Sequence, residues 1–181
     1  MIKNWFRRRP PARLQVLMVC MGNICRSPIA EAVLRSKLDQ AGLGGDVAVD
    51  SAGTHGFHRG SAPDPRGVAQ AARRGYQVAG LKSRPVEAAD FERFDLVLAM
   101  DRSNLATLQE RCPPAQHHRL HLLLPFADAE RPAGPGKAAA TDEVPDPYYG
   151  SLAGFEVVLD LIEPACDGVV QALQRRLAEP P

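Results

Sequence analysis

The stretch VLMVCMGNICRSPIAEAVLR, residues 16–35, sets a cysteine at the end of an apolar run and an arginine six positions later, with Gly and Asn between them. The run LQVLMVC (14–20) is short, apolar and bounded by polar or turn-forming residues, which predicts a buried strand. The following SPIAEAVLRSKLDQAG has apolar residues at helical spacing: Ile29, Ala32, Val33 and, with a slip, Leu38. Ser27 is the expected N-cap, Pro28 the first helical residue and Gly42 the stop.

Outward from this unit, three more apolar runs read as strands: DVAVDSAG (46–53), FDLVLAM (94–100) and HRLHLLL (118–124). Between them, helices are expected over 64–75 and 101–112, and a long one over about 152–177 that Pro164 should kink or split. Strands alternating with helices imply βαβ units, right-handed crossovers and a mostly parallel sheet covered on both faces, an α/β fold. Residues 127–150 are rich in Ala, Pro and Gly without a period, and read as a long loop. No internal repeat is visible.

The whole chain is consistent with that plan. Its 181 residues, 45% hydrophobic and 24% charged, suit one globular domain over 14–178. Residues 1–13, with the cluster Trp5, Phe6, Arg7, Arg8 and Arg9 ahead of two prolines, read as a disordered extension. A formal charge of +1 gives no field that would gather nucleic acid or a membrane, so attraction for an anion must be local. No apolar run approaches a membrane span or a signal peptide. Four cysteines, two of them in one loop, do not resemble a disulfide framework and favour a reducing, cytoplasmic setting.

In a parallel sheet, ligands sit beyond the C-terminal strand ends, where a following helix N-terminus favours anions. Cys20 is expected at such an end. From Met21 through Gly22, Asn23, Ile24 and Cys25 the loop can converge its N–H groups, with Gly22 and Asn23 suited to the positive φ that an anion nest requires. The planar fork of Arg26 can hold two oxygens of a tetrahedral oxyanion, with Cys20 beneath the central atom as nucleophile. The helix dipole, Arg26 and the Ser27 hydroxyl all favour the thiolate. Cys-x5-Arg is a weak pattern alone; its placement between a strand end and a Ser-Pro helix start gives it weight.

These residues, together with VPDPYYG (144–150), resemble the low-molecular-weight protein tyrosine phosphatases of bacterial type. The similarity runs in order through DSAGT (50–54), PDPR (63–66), SRPV (83–86), FDLVLAMDRSN (94–104) and GFEVVLDLIE (154–163). The resemblance implies a four-stranded parallel, flavodoxin-like sheet and metal-free, cofactor-free hydrolysis of aryl phosphates through a phosphocysteine on Cys20. Asp146 would be the general acid and base, a role whose structural alternative is an Asp-Pro turn starter. Asn23 and Ser27 would shape the loop, and Asp101 would support it while also capping a helix. Phe57, Tyr148 and Tyr149 would wall the ring pocket, with Met21 and Ile24 at its rim. Expected partners are phosphotyrosine proteins, among them a bacterial tyrosine kinase or its targets, with inorganic phosphate as product.

Rival readings on the same loop are a protein-arginine phosphatase, an arsenate reductase and a non-catalytic phosphoprotein-binding module. An aliphatic Ile24, where arginine phosphatases carry Thr, suits an aryl ring. Cys112 and Cys166 read as core residues and not as the close pair that a reductase relay needs. Cys25 is expected to trap oxidised Cys20 as a disulfide, against the alternative of a small packing residue. Leu81 occupies the position where many family members carry a histidine that supports the loop Asn. His117, His118 and His121 lack a ligand set, so no metal site is expected.

Overall fold

The computed structural model describes residues 12–128 and 142–179. Of the extension 1–13 expected to be disordered, residues 1–11 lie outside the described residues, as do 129–141, while the Arg13 N–H donates to Asp46 O at 2.8 Å. The strands are β1 (Leu14–Cys20), β2 (Val47–Gly53), β3 (Leu96–Ala99) and β4 (Leu120–Leu122), all parallel, in the order β2-β1-β3-β4. The helices are α1 (Arg26–Gln40), α2 (Pro65–Arg73), α3 (Ala88–Arg93), α4 (Arg102–Arg111) and α5 (Leu152–Ala178).

Alternation along β1 divides two cores, because successive strand side chains point to opposite faces. Val16, Met18 and Cys20 join α1 and α5 on one face, through Ile29, Val33, Leu34, Phe155, Val158 and Ile162. Leu17 and Val19 meet Phe91, Phe94 and Leu108 of the α3–α4 side on the other. With both faces covered, the middle strands are apolar apart from Gln15 near the start of β1. No helix among the described residues is long and apolar enough to cross a membrane.

Several expectations need correction. β4 holds three residues, because Pro114–Arg119 forms a 3₁₀ turn that takes His117 and His118 off the strand. Their rings bond carbonyls instead: His117 Nε2 lies 2.9 Å from Cys112 O, His118 Nδ1 2.9 Å from Ala115 O, and His121 Nε2 3.0 Å from His118 O. α1 begins two residues early, at Arg26 with Cys25 at its N-cap, since the Ser27 hydroxyl turns inward and makes no cap. A second 3₁₀ turn, Leu124–Asp128, opens the long loop, and α3 joins the expected helices.

Pro164 does not split α5, which is one element over 27 residues. Proline removes one N–H and crowds the preceding turn. Pro164 lies on the exposed side, while Ile162, Ala165 and Cys166 beside it are fully buried, so packing holds the helix continuous. Arg74, just past α2, staples the outer side by pairing with Glu156, Asp160 and Glu163.

α5 also passes so close to the Leu124–Asp128 turn that a Cβ on Gly168 would run into the Phe126 carbonyl. Gly168→Ala should therefore destabilise the protein despite its better helix propensity, by roughly 2 kcal/mol net, lowering Tm by about 4–8 °C. Gly154→Ala in the same helix meets Pro147 only at 3.4 Å, an ordinary contact, and should leave Tm unchanged or raise it. Thermal unfolding of the two variants followed by circular dichroism decides this; a rise in Tm for Gly168→Ala would contradict the packing.

Candidate active site at the ends of β1 and β3

Cys20 ends β1 and is 2% exposed. The loop that follows turns so tightly that Asn23 adopts φ 55, the one non-glycine residue at positive φ among those described. Asparagine tolerates this region better than most residues. Gly22, expected to share that conformation, does not; a Cβ there would come within 2.9 Å of the His58 ring, which would have to shift.

A saturated amide holds Asn23 in place. Its Nδ2 donates to Ser27 Oγ and to Ser51 Oγ, both at 2.9 Å, and its Oδ1 accepts the Arg84 N–H at 2.9 Å. Ser51 Oγ donates in turn to Glu31 Oε2 at 2.5 Å, and Glu31 pairs with Arg35. Burial raises the Glu31 carboxyl above its ordinary range, an effect opposed by Ser51 and Arg35. Leu81, packed against the core, leaves the support of Asn23 to Ser51 and the Arg84 main chain. Segment 83–86 is brought there by pairing with the end of β2: Gly53 N–H donates to Arg84 O and Val86 N–H to Gly53 O.

Around the Cys20 sulfur, Ser27 Oγ lies at 3.1 Å and the Asn23 N–H donates at 3.3 Å. Both can stabilise a negative sulfur, as can the unsatisfied amides of the first α1 turn. Arg26, 2% exposed, donates through one terminal nitrogen to Asp101 at 2.5 Å and Val144 O at 3.1 Å, and through the other to Asp146 at 2.9 Å. Burial disfavours its charge, but Cys20, Asp101 and Asp146 more than compensate and move its pKa upward. Its Nε is buried without a hydrogen-bond partner among the described residues.

The two readings of Asp101 both hold: Oδ2 pairs with Arg26, and Oδ1 accepts the Asn104 N–H at 2.7 Å as the α4 cap. Asp146 is a turn former, since its Oδ1 accepts the Tyr148 N–H at 3.1 Å. Val144 N–H donates to Met100 O at 2.7 Å, which returns the chain to the end of β3 and delivers Asp146 to Arg26.

Cys20, Arg26 and Asp146 line a cavity of about 310 Å³ together with Ile24, Phe57, His58, Tyr148 and Tyr149. Phe57 is 75% exposed and is steadied by stacking on His55, ring centres 5.0 Å apart. Tyr148 and Tyr149 meet edge to face at 4.9 Å. His58, absent from the sequence-based site, lies 6.2 Å from the Tyr148 ring. Cys25 is also in the cavity lining, its thiol pushed up to about 12 by burial first and by Asp64, Cys20 and Asp146 after it. Met21, 41% exposed, lies at the mouth. Cys112 and Cys166 belong to cores on opposite faces of the sheet. No group of His, Cys, Asp or Glu able to hold a metal occurs among the described residues.

An apolar slot with a buried cation, a thiol and a carboxyl at its base can receive a flat ring that carries a tetrahedral anion. Known proteins have the same architecture. Residues 15–179 match the family model for low molecular weight phosphotyrosine protein phosphatase. A Streptomyces coelicolor low molecular weight protein-tyrosine-phosphatase is 41% identical over 165 residues, covering 90% of this chain and 95% of that protein. A crystal structure of a protein tyrosine phosphatase from Entamoeba histolytica superposes with TM-score 0.81 at 39% identity, over 90% of this chain and 97% of the other. The structure of YfkJ from Bacillus subtilis gives TM-score 0.80 at 33% identity, over 91% and 97%. The chain belongs to the low molecular weight phosphotyrosine protein phosphatase family.

Proposed function

We propose that this protein hydrolyses phosphotyrosine in proteins through a covalent intermediate on Cys20. The observation that carries the proposal is the buried Arg26 guanidinium, its Nε unpartnered, set with Cys20 and Asp146 at the base of an aromatic-walled slot. In the first step the Cys20 thiolate attacks phosphorus, the P–O bond to the ring breaks, and Asp146 gives its proton to the departing phenolate. Arg26 and the loop amides of 21–27 hold the equatorial oxygens. In the second step Asp146 takes a proton from water, the P–S bond breaks, and inorganic phosphate leaves with the thiolate restored. Every transferred proton and bond is accounted for by Cys20, Asp146 and water.

The aromatic walls and aliphatic Ile24 favour an aryl phosphate over a phosphoguanidinium, and the separation of Cys112 from Cys166 gives no support to a reductase relay. The natural substrates in this reading are phosphotyrosine proteins, including a bacterial tyrosine kinase or its targets. A cytoplasmic location accords with four cysteines that are all unbonded. Cys25 serves as the resolving thiol. Peroxide takes the Cys20 thiolate to a sulfenic acid; Cys25 then forms the S–S bond as the S–O bond breaks and water leaves. Until then its raised pKa keeps it neutral beside the anion site.

Peptides bearing phosphotyrosine, phosphoserine and phosphoarginine should separate the readings. Wild type should turn over phosphotyrosine by a wide margin; Cys20→Ser should lose at least about 10³-fold in kcat, and Asp146→Ala about 10²–10⁴. Activity that survives Cys20→Ser, or preference for phosphoarginine, would overturn the reading. Brief peroxide treatment should inactivate wild type in a manner that added dithiol reverses nearly fully, while Cys25→Ser recovers only a minor part. Equal recovery of the two proteins would remove the protective role.

A further inference from the structure

Asp146 reaches the slot on a short span, Pro145-Asp146-Pro147, and the chain is tied down on both sides of it. On the N-terminal side the tie is Arg26, donating to Val144 O at 3.1 Å. On the C-terminal side it is a second arginine, Arg66 of α2. One terminal nitrogen of Arg66 donates to Gly150 O at 2.8 Å, the other to Tyr148 O at 2.9 Å. The opposite edge of the same guanidinium grips Asp64, from Nε at 3.0 Å and from the terminal nitrogen at 2.7 Å. Its plane also lies 5.1 Å from the centre of the Phe155 ring.

Asp64 is itself joined to the Cys20 loop. Its N–H donates to Ile24 O at 2.8 Å, and its carboxylate caps α2 through the Arg66 N–H at 2.9 Å. Arg66 holds the Asp64 carboxyl below its usual range, chiefly through the side-chain hydrogen bond, so this grip persists through neutral pH and is lost only as pH falls below the ordinary carboxylate range. A continuous bridge results: Cys20 loop, Asp64, Arg66, Tyr148 and Gly150 carbonyls, Asp146. Two prolines with fixed φ leave little slack between Val144 and Tyr148.

From this bridge we infer that Arg66 is a positioning residue for proton transfer: it fixes the C-terminal flank of Asp146 against the loop that carries the nucleophile, and so sets the carboxyl against the leaving oxygen. The inference rests on the reading of Asp146 as the proton donor. Arginine is needed because four of its N–H bonds diverge to one carboxylate and two carbonyls in fixed planar geometry, which a lysine ammonium on a flexible stem does not reproduce. A displacement of about 1 Å in a reacting group costs on the order of 10²-fold in rate.

The experiment compares kcat/KM for phenyl phosphate, whose leaving group needs the proton, and 2,4-dinitrophenyl phosphate, whose leaving group departs without it. Arg66→Ala should slow phenyl phosphate by roughly 10–100-fold and dinitrophenyl phosphate by less than about 3-fold. Asp146→Ala should show the same asymmetry more strongly, and Arg66→Ala with Asp146→Ala should be no slower than Asp146→Ala alone. Arg66→Lys should fall between wild type and Arg66→Ala, and carries the test if Arg66→Ala does not fold. Equal slowing of both substrates by the Arg66 variants, or a further loss in the double variant, would mean that Arg66 only supports the fold and would overturn the inference while leaving Asp146 in its role. If Asp146→Ala slows both substrates equally, the proton-donor reading fails, and the inference about Arg66 falls with it.

Discussion

A guanidinium taken out of water costs several kcal/mol unless its charge and its N–H groups are met, and breaking a buried pair costs about 3–5 kcal/mol. Arg26 imposes that demand at the carboxyl ends of the strands. The chain meets it from three places: the cap of α4 at Asp101, the carbonyl of Val144 and the carboxyl of Asp146. The start of α4 and the 142–150 segment are therefore located with respect to the β1–α1 loop by one side chain. The Nε of that side chain stays buried with no partner among the described residues.

The loop around Arg26 needs its own support, because Asn23 is held at positive φ. Four hydrogen-bonding partners of different kinds converge there: two hydroxyls, a main-chain N–H and, one step removed, a buried carboxyl. A half-satisfied buried network destabilises more than an apolar core does, whereas a complete one fixes a single conformation. The pieces come from α1, β2 and the 83–86 segment, so the loop is shaped by tertiary structure and not by its own letters alone.

This division explains what the sequence reveals. Strand β1, the loop and α1 are legible because apolar period, turn residues and the Ser-Pro pair agree over one continuous stretch. Of the roles expected of Ser27 only the cap is absent: a hydroxyl at a helix start usually caps, and here the Cys20 sulfur and Asn23 compete for it. Helix α3 escaped notice since six residues carry too little period, although Glu87 followed three residues later by Asp90 was a usable sign, and the Glu87 N–H does bond Asp90. Pro164 locally favours a break, and the burial of Ile162, Ala165 and Cys166 around it, which no local pattern displays, keeps α5 continuous. His58, Ser51, Glu31 and Arg66 belong to the site through contacts across the fold, and only the Asp-Pro-Arg spacing at 64–66 hinted at the last.

The bond from the Arg84 main chain to Asn23 has a bearing on both acidity and evolution. An imidazole at the Leu81 position would change its charge between pH 5 and 8, and a loop that leaned on it would change footing in that interval. A peptide N–H carries no such titration. Only proline at residue 84 would remove the donor itself, while the Arg84 guanidinium sets where it lies by pairing with Asp50 and Asp90. The grip on the most constrained residue of the loop is written into where the chain runs, and the ion-paired Arg84 side chain helps to hold the chain there.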